Sequence, residues 1–304
     1  MCMRALLALD WRHFTDAQLQ EILRLEQEYD ELIFVISRPE GLLEGHSPML
    51  CSQLMPALQA TLGQHLQKPF CLLPIPGKGL PDHYHWLRWR ILCPAFVHAF
   101  TSNAAEREAM ELTLRVPVTV IPSGGAPVIM PALAPVKRGI FITRAQPFHN
   151  GHAAYLEQMK AEVDEAIVIV GVANQSHTAK DFATAGERLE MIKPYLDQCW
   201  PGRHYLAALP YSGFSLENFY ELEYVLPAFH IVYTINTSTI TYAHTAGYPV
   251  KNLNTSMEVS GTRVRACMVQ DQPYDHLVPE SVHRYLTYTN LATRLKQLLE
   301  KENR

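Results

Sequence analysis

Two uninterrupted apolar runs separated by one amphipathic stretch constrain this chain more than any other feature. RGIFIT (138–143) and AIVIVGV (166–172) are short and apolar throughout their middles, the pattern of strands buried on both faces. Between them AAYLEQMKAEV (153–163) sets Tyr155, Leu156, Met159 and Val163 on one helical face. Strand, helix and strand in that order make a parallel β-α-β unit. The alternation continues with helices expected over AGERLEMIKPYL (185–196) and ENFYELEYVL (217–226), and strands over HYLAAL (204–209) and HIVYTI (230–235). Buried strands alternating with helices predict a doubly wound, Rossmann-like α/β domain with a parallel sheet. VHRYLTYTNLATRLKQLLEKENR (282–304) reads as a helical tail ending in solvated charge.

The pattern occurs twice. EQEYDELIFVISRPE (26–40) reads like KAEVDEAIVIVGVAN (160–174), so that Asp30 and Glu31 stand 134 residues before Asp164 and Glu165. LPIPGKGL (73–80) echoes LPYSGFSL (209–216), and CPAFVHAFTSN (93–103) echoes LPAFHIVYTIN (226–236). Three matches in one order at a nearly constant offset predict a tandem duplication, two α/β domains in one chain. Pro122, Gly124, Gly125, Pro127, Pro131 and Pro135 break any helical period between them. The expected organisation is a first domain over 1–125, a linker over 126–137 and a second domain over 138–304.

With 48% hydrophobic and 18% charged residues the composition is that of a folded protein. No apolar run approaches the roughly 18 residues of a membrane helix, and the start MCMRALLALDW lacks the basic region and cleavage site of a signal peptide, so a cytoplasmic location is expected. Six widely spaced cysteines without a C-x-x-C pair read as reduced thiols. A net charge of −4 argues against a broad nucleic-acid surface but leaves room for a local phosphate pocket.

In a parallel sheet, ligands gather beyond the carboxyl ends of the strands, which directs attention to the first strand-to-helix turn of the second half. That turn, TRAQPFHNGHAAYL, groups Arg144, His149 and His152 around Gly151 just before a helix. Two imidazoles beside the free N–H groups of a helix start suit a phosphate, and Gly151 allows close approach. A second cluster, VSGTRVRACM (259–268), sets Ser260, Gly261 and Thr262 ahead of a helix bearing Arg263 and Arg265, a second anion clamp. His83 and His85 in DHYHW lack the partner pattern of a metal site and read as surface or interface histidines; no protein metal site is expected.

These motifs resemble the archaeal-type nicotinamide mononucleotide adenylyltransferases of the nucleotidyltransferase superfamily, over about 138–290. The family pattern G-R-x-Q-P-F-H-x-G-H is matched at Arg144, Gln146, Pro147, Phe148, His149, Gly151 and His152, with Thr143 in place of the glycine. The S-H-T and T-A-G-E-R segments stand at 176–178 and 184–188, S-G-T-x-x-R at 260–265, and YDHLVP (274–279) carries Tyr274 at a Trp position. The resemblance implies that a pyridine mononucleotide attacks the α-phosphorus of ATP, forming a dinucleotide and releasing pyrophosphate. It implies that His149, His152 and Arg265 act on the phosphates during transfer, and that Arg144, Arg188, Gly151, Ser260, Gly261 and Thr262 bind ATP. Mg²⁺ bound with the triphosphate is implied as cofactor. Ser176, His177 and Asn218, with Phe219 or Tyr220 replacing a family Trp, are implied to hold the mononucleotide, whose amide or acid form stays open. Family members are oligomers, so a homo-oligomer and an internal pseudo-dimer of the two halves are both implied. A nucleotide-binding regulator, or a nucleotidyltransferase with another acceptor, is the alternative.

At the 134-residue offset the first half has Thr15 and Gln18 for the two histidines, Ala17 for Gly151, Asp10 for Arg144 and Leu54 for Arg188, while Phe14 matches Phe148. The expectation is a folded copy without phosphate chemistry.

Overall fold

The computed structural model describes residues 2–37, 49–75, 82–210, 215–252 and 258–302. The chain divides into two compact units, Met1–Pro135 with Glu221–Ala228, and Val136–Tyr220 with Phe229–Arg304. The first unit holds β1 (Arg4–Ala8), α1 (Asp16–Glu28), β2 (Glu31–Ser37), α2 (Met49–His65), β3 (Phe70–Ile75), α3 (Asp82–Leu92), β4 (His98–Thr101), α4 (Arg107–Leu114) and β5 (Val118–Val120). Its five strands run parallel in the order β3-β2-β1-β4-β5.

The second sheet uses β6 (Arg138–Thr143), β7 (Glu165–Val170), β8 (His204–Ala208), β9 (Ile231–Tyr233) and β10 (Val250–Lys251) in the order β10-β9-β6-β7-β8, again all parallel. The intervening helices are α5 (Asn150–Met159), α6 (Ala185–Cys199), α7 (Leu216–Val225) and α8 (Thr237–Thr245), and α9 (Gly261–Val269), α10 (Glu280–Tyr288) and α11 (Leu291–Glu302) follow. Numbered from its own first strand, each sheet runs third, second, first, fourth, fifth. The doubly wound parallel α/β fold is thus present twice.

Local bonds repeat at the same offset. Arg4 Nε donates to Glu31 at 2.6 Å and Arg138 Nε to Glu165 at 2.6 Å. The Met3 N–H donates to Asp30 at 2.7 Å and the Lys137 N–H to Asp164 at 2.8 Å. Each ion pair covers the entry of the first two strands of its sheet, where a charge at the start of an otherwise apolar run finds its partner on the neighbouring strand.

Several expectations shift. Helix α5 starts at Asn150, three residues before the apolar period begins, because His149 takes the N-cap position in extended backbone. Helix α8 and strand β10 come from TSTITYAHTAGYPVK, where threonines at low helix propensity hide the period and Asn236 caps the helix by accepting from Thr239 N–H at 3.0 Å. The start of the expected linker is bonded to the first unit: Asp16 N–H donates to Ala126 O at 2.9 Å and Val128 N–H to Phe14 O at 2.8 Å. The C-terminal helices are tied down as well, for Arg294 pairs with Glu187 at 2.7 Å and the Glu302 carboxylate accepts from Ala179 N–H at 2.7 Å. Residues 76–80 and 211–214 of the LPIPGKGL and LPYSGFSL echo, and the side chains of His83 and His85, lie outside the described residues.

Strand β6 sits at the centre of the second sheet, and Gly139 there leaves room for a neighbour. A Cβ would stand 2.6 Å from Tyr233 Cε2, on a buried ring whose hydroxyl is held by Glu162 at 2.9 Å. The ring cannot yield freely, so Gly139→Ala is expected to destabilise the second unit by about 1–3 kcal/mol, measured as a lower midpoint in denaturant titration of the full chain.

Candidate active site at the switch point of the second sheet

The chain leaves β6 toward β7 on one side and returns through β9 on the other, so the crevice beyond their carboxyl ends is the topological switch point. A cavity of about 190 Å³ opens there, lined by Thr143, Arg144, His152 and Tyr155 on one side and by Thr234 and Asn236 on the other.

The first turn of α5 is built around its two histidines. The His149 N–H donates to Nδ1 of His152 at 3.2 Å, and the rings stack with centroids 3.7 Å apart at 22°. Gly151 makes this possible, since a Cβ there would lie 3.0 Å from the His149 ring atoms Cε1 and Nδ1 and 3.2 Å from Val259. The buried Phe148 ring backs His152 at 5.3 Å. Burial holds the His149 pKa down to about 4, and His152 is held well below its usual value by burial and then by His149 beside it. Both imidazoles are therefore neutral at pH 7. Nδ1 of His149 is buried with no hydrogen-bond partner among the described residues, the kind of unsatisfied atom that binding sites retain.

The second motif meets the first at one carbonyl. Ser260 caps α9 by accepting from Arg263 N–H at 3.2 Å. Arg265 Nη1 donates to Gln146 O at 2.6 Å and Nη2 to Thr262 Oγ1 at 3.3 Å. A Cβ on Gly261 would stand 2.9 Å from that same Gln146 oxygen, so glycine lets the two segments touch. Gln146 is itself fixed by a reciprocal pair with the Ala183 backbone, at 2.8 and 3.1 Å.

The arginines divide by direction. Arg144 grips Asp181 with Nε at 2.6 Å and Nη2 at 2.7 Å, while its Nη1 has no partner among the described residues and the side chain lines the cavity. Arg188, expected to bind phosphate, is 0% exposed. Its five N–H groups are spent on backbone carbonyls: Nε on Thr184, Nη1 on Arg144 and Gly171, Nη2 on Val172 and Gln175, at 2.9 to 3.4 Å. Burial lowers its pKa to about 10 without discharging it. Arg188 thus ties the ends of β6 and β7 to the loop that follows, each of its N–H groups facing a backbone carbonyl.

The residues read as mononucleotide ligands are not equivalent either. Ser176 and His177 bond one another at 2.9 Å on an exposed turn where His177 has a φ of 60°. Ser215 precedes α7 and its Oγ accepts from Asn218 N–H at 3.2 Å, while Asn218 Oδ1 accepts from Ser215 N–H at 3.3 Å and from Ser215 Oγ at 2.8 Å. Phe219 is 0% exposed and packs against Phe229 and Tyr248, so it belongs to the core, whereas Tyr220 one residue on is 40% exposed. Sequence reading overlooked Thr143, Asp181, Thr234 and Asn236, which carry no motif signal of their own. No group of three or more His, Cys, Asp or Glu able to hold a metal occurs among the described residues.

The Cytidylyltransferase-like family matches residues 140–202. A nicotinamide-nucleotide adenylyltransferase of Thermococcus sibiricus is 36% identical over 174 residues, 55% of this chain and 94% of that one. The chain belongs to the nicotinamide-nucleotide adenylyltransferase family. The similarity lies in the C-terminal half. Family members of the same name from Pyrococcus horikoshii and Methanosarcina barkeri are 35% and 33% identical, over 88% and 96% of their lengths and 53% and 55% of this chain. Among solved structures, a bifunctional NMN adenylyltransferase/ADP ribose pyrophosphatase from Francisella tularensis matches at 13% identity and a TM-score of 0.48, over 55% of this chain and 54% of that chain.

Two outcomes follow from the site's electrostatics. Arg188→Lys offers three donors on a point charge to carbonyls that now receive five, and is expected to cost about 2–4 kcal/mol of stability, read by denaturant titration. His149 takes its proton near pH 4 when folded and near 6.5 when unfolded. Between those values the unfolded chain binds more protons, so this contribution to stability is complete above about pH 6.5 and is lost as pH falls toward 4. His149→Gln should flatten that part of the stability profile.

Proposed function

We propose that the chain transfers the adenylyl group of MgATP to nicotinamide mononucleotide, giving NAD and pyrophosphate, and that the crevice between β6 and β9 is where this occurs. The observation that carries the reading is a crevice at the switch point lined by Arg144 and by His152, on which His149 stacks, with Arg265 bonded to Gln146 O in the turn between them. A 5'-phosphate oxygen of the mononucleotide attacks the α-phosphorus of ATP, the α-to-β bridging bond breaks, and its electron pair leaves with pyrophosphate. Such a transfer needs alignment and charge neutralisation, and no protein nucleophile. The neutral ring of His149 can donate a hydrogen bond to a phosphate oxygen as negative charge grows on the leaving group, while His152 acts through Thr143, whose Oγ1 lies 2.9 Å from its Nε2. Arg144 and Arg265 add fixed positive charge, and Ser260, Gly261 and Thr262 present the start of α9 to the outer phosphates. Mg²⁺ would come with the triphosphate, held largely by phosphates and water, and would neutralise part of its charge.

In this reading the first unit is a duplicated copy that lost the chemistry. Asp10 stands at the Arg144 position and pairs with Arg12 and His13, and its N–H donates to Ser102 Oγ at 3.0 Å across the ends of β1 and β4. Trp11, at the Ala145 position, is buried with its indole N–H on Val35 O at 2.8 Å. These bonds stand at the first unit's counterpart of the turn that lines the cavity in the second. The proposed place of action is the cytoplasm; no helix among the described residues is long and apolar enough to cross a membrane.

Incubation of the full chain with MgATP and either nicotinamide or nicotinate mononucleotide, with the product identified by mass, tests the reading, and absence of dinucleotide from both overturns it. His152→Ala is expected to lower kcat by about 10² to 10³, the usual effect of dismantling one preorganised donor arrangement, with a smaller change in ATP affinity. Unchanged turnover in that variant would assign His152 to packing alone.

A further inference from the structure

One hydroxyl on the cavity wall accepts two hydrogen bonds and has nowhere to give its own. Thr143 closes β6, is buried, and lines the cavity together with His152. Its Oγ1 accepts from Ala145 N–H at 3.2 Å and lies 2.9 Å from Nε2 of His152. The direction of the second bond is set three residues back along the helix. Because the His149 N–H donates to Nδ1 of His152, that nitrogen is unprotonated, and the proton of the neutral ring is on Nε2. Nε2–H therefore donates to Thr143. Both lone pairs of Oγ1 are then taken, and the remaining O–H has no acceptor among the described residues.

We propose that Thr143 is a substrate-contacting donor: its hydroxyl is offered to an anionic phosphate oxygen in the cavity while its oxygen carries the Nε2–H of His152, so that threonine and histidine act on the phosphate as one relay. The proposal rests on the reading of this cavity as the MgATP site. Donation of the O–H to an anion makes Oγ1 a better acceptor, and the imidazole bond tightens in step with the charge it answers. A role limited to the backbone needs only an acceptor for Ala145 N–H and leaves the second bond and the open donor without purpose.

The test combines two variants with histidine NMR on the full chain. Thr143→Val keeps the shape without the hydroxyl, and Thr143→Ser keeps the hydroxyl. Thr143→Val is expected to lower kcat/KM for ATP by at least about tenfold, mostly in kcat, in line with loss of a hydrogen bond to a charged group, and Thr143→Ser to stay within about threefold of the parent. Near-parental activity in Thr143→Val, or a Thr143→Ser as slow as Thr143→Val, overturns the proposal. In the ¹⁵N-histidine spectrum of the unaltered chain, Nε2 of His152 is expected to carry the proton and to shift when an α,β-methylene ATP analogue is added with Mg²⁺. A proton on Nδ1, or an unmoved Nε2 signal, overturns the proposal even where a variant fails to fold. An unaltered chain that makes no dinucleotide overturns the functional reading instead and leaves the spectrum to judge Thr143.

Discussion

The bond from the His149 N–H to Nδ1 of His152 is the one on which the rest of the site depends. A helix start leaves N–H groups without partners, and something near the chain must take them. Here the residue three places into the helix takes one with a ring nitrogen, as Gln18 does in the first unit, where its Oε1 accepts from Thr15 N–H at 3.1 Å. The same capping geometry serves both units. In the second unit the capping side chain also carries a second ring nitrogen and lines the cavity, so a structural requirement of the backbone fixes the tautomer of that ring.

Much of the fold was legible, and for physical reasons. RGIFIT and AIVIVGV could be placed because strands buried on both faces leave an unbroken apolar signature, and β6 and β7 fall on them to within two residues. The start of α5 was missed because histidine is an uncommon cap, and α8 because its threonines hide the period. The two motifs meet in space, for Arg265 reaches Gln146 O and His152, on which His149 stacks, lines the cavity. They could not give direction. Arg144 and Arg188 belong to the same motif set, yet one faces the cavity and the other turns inward onto five carbonyls. Phe219 and Tyr220 are neighbours on one helix, where a step of one residue is enough to exchange core for solvent.

Charge is arranged with equal economy. Asp181 is buried and holds Arg144 by two bonds, which orients the guanidinium and leaves one nitrogen open. Arg188 keeps its charge inside the protein because every N–H is satisfied, the condition under which a buried cation is tolerable. Burial keeps both histidines uncharged, and at His152 the neighbouring His149 adds to it. In the proposed reading the crevice offers a polyanion fixed positive charge on arginine and adjustable donors on imidazole.

The bonds that assemble this site are long in sequence. Arg265 reaches back 119 residues to Gln146, Asn150 reaches forward 126 to His276, and Ala179 reaches 123 to Glu302. Each closes a loop whose entropy must be met before the contact gives anything in return. The contact between the two motifs is therefore late: strands β6 and β7 can pair early, but the bond from Arg265 to Gln146 needs most of the second unit in place. A nucleotide that binds only the assembled form would be a ligand for folding as well as for chemistry.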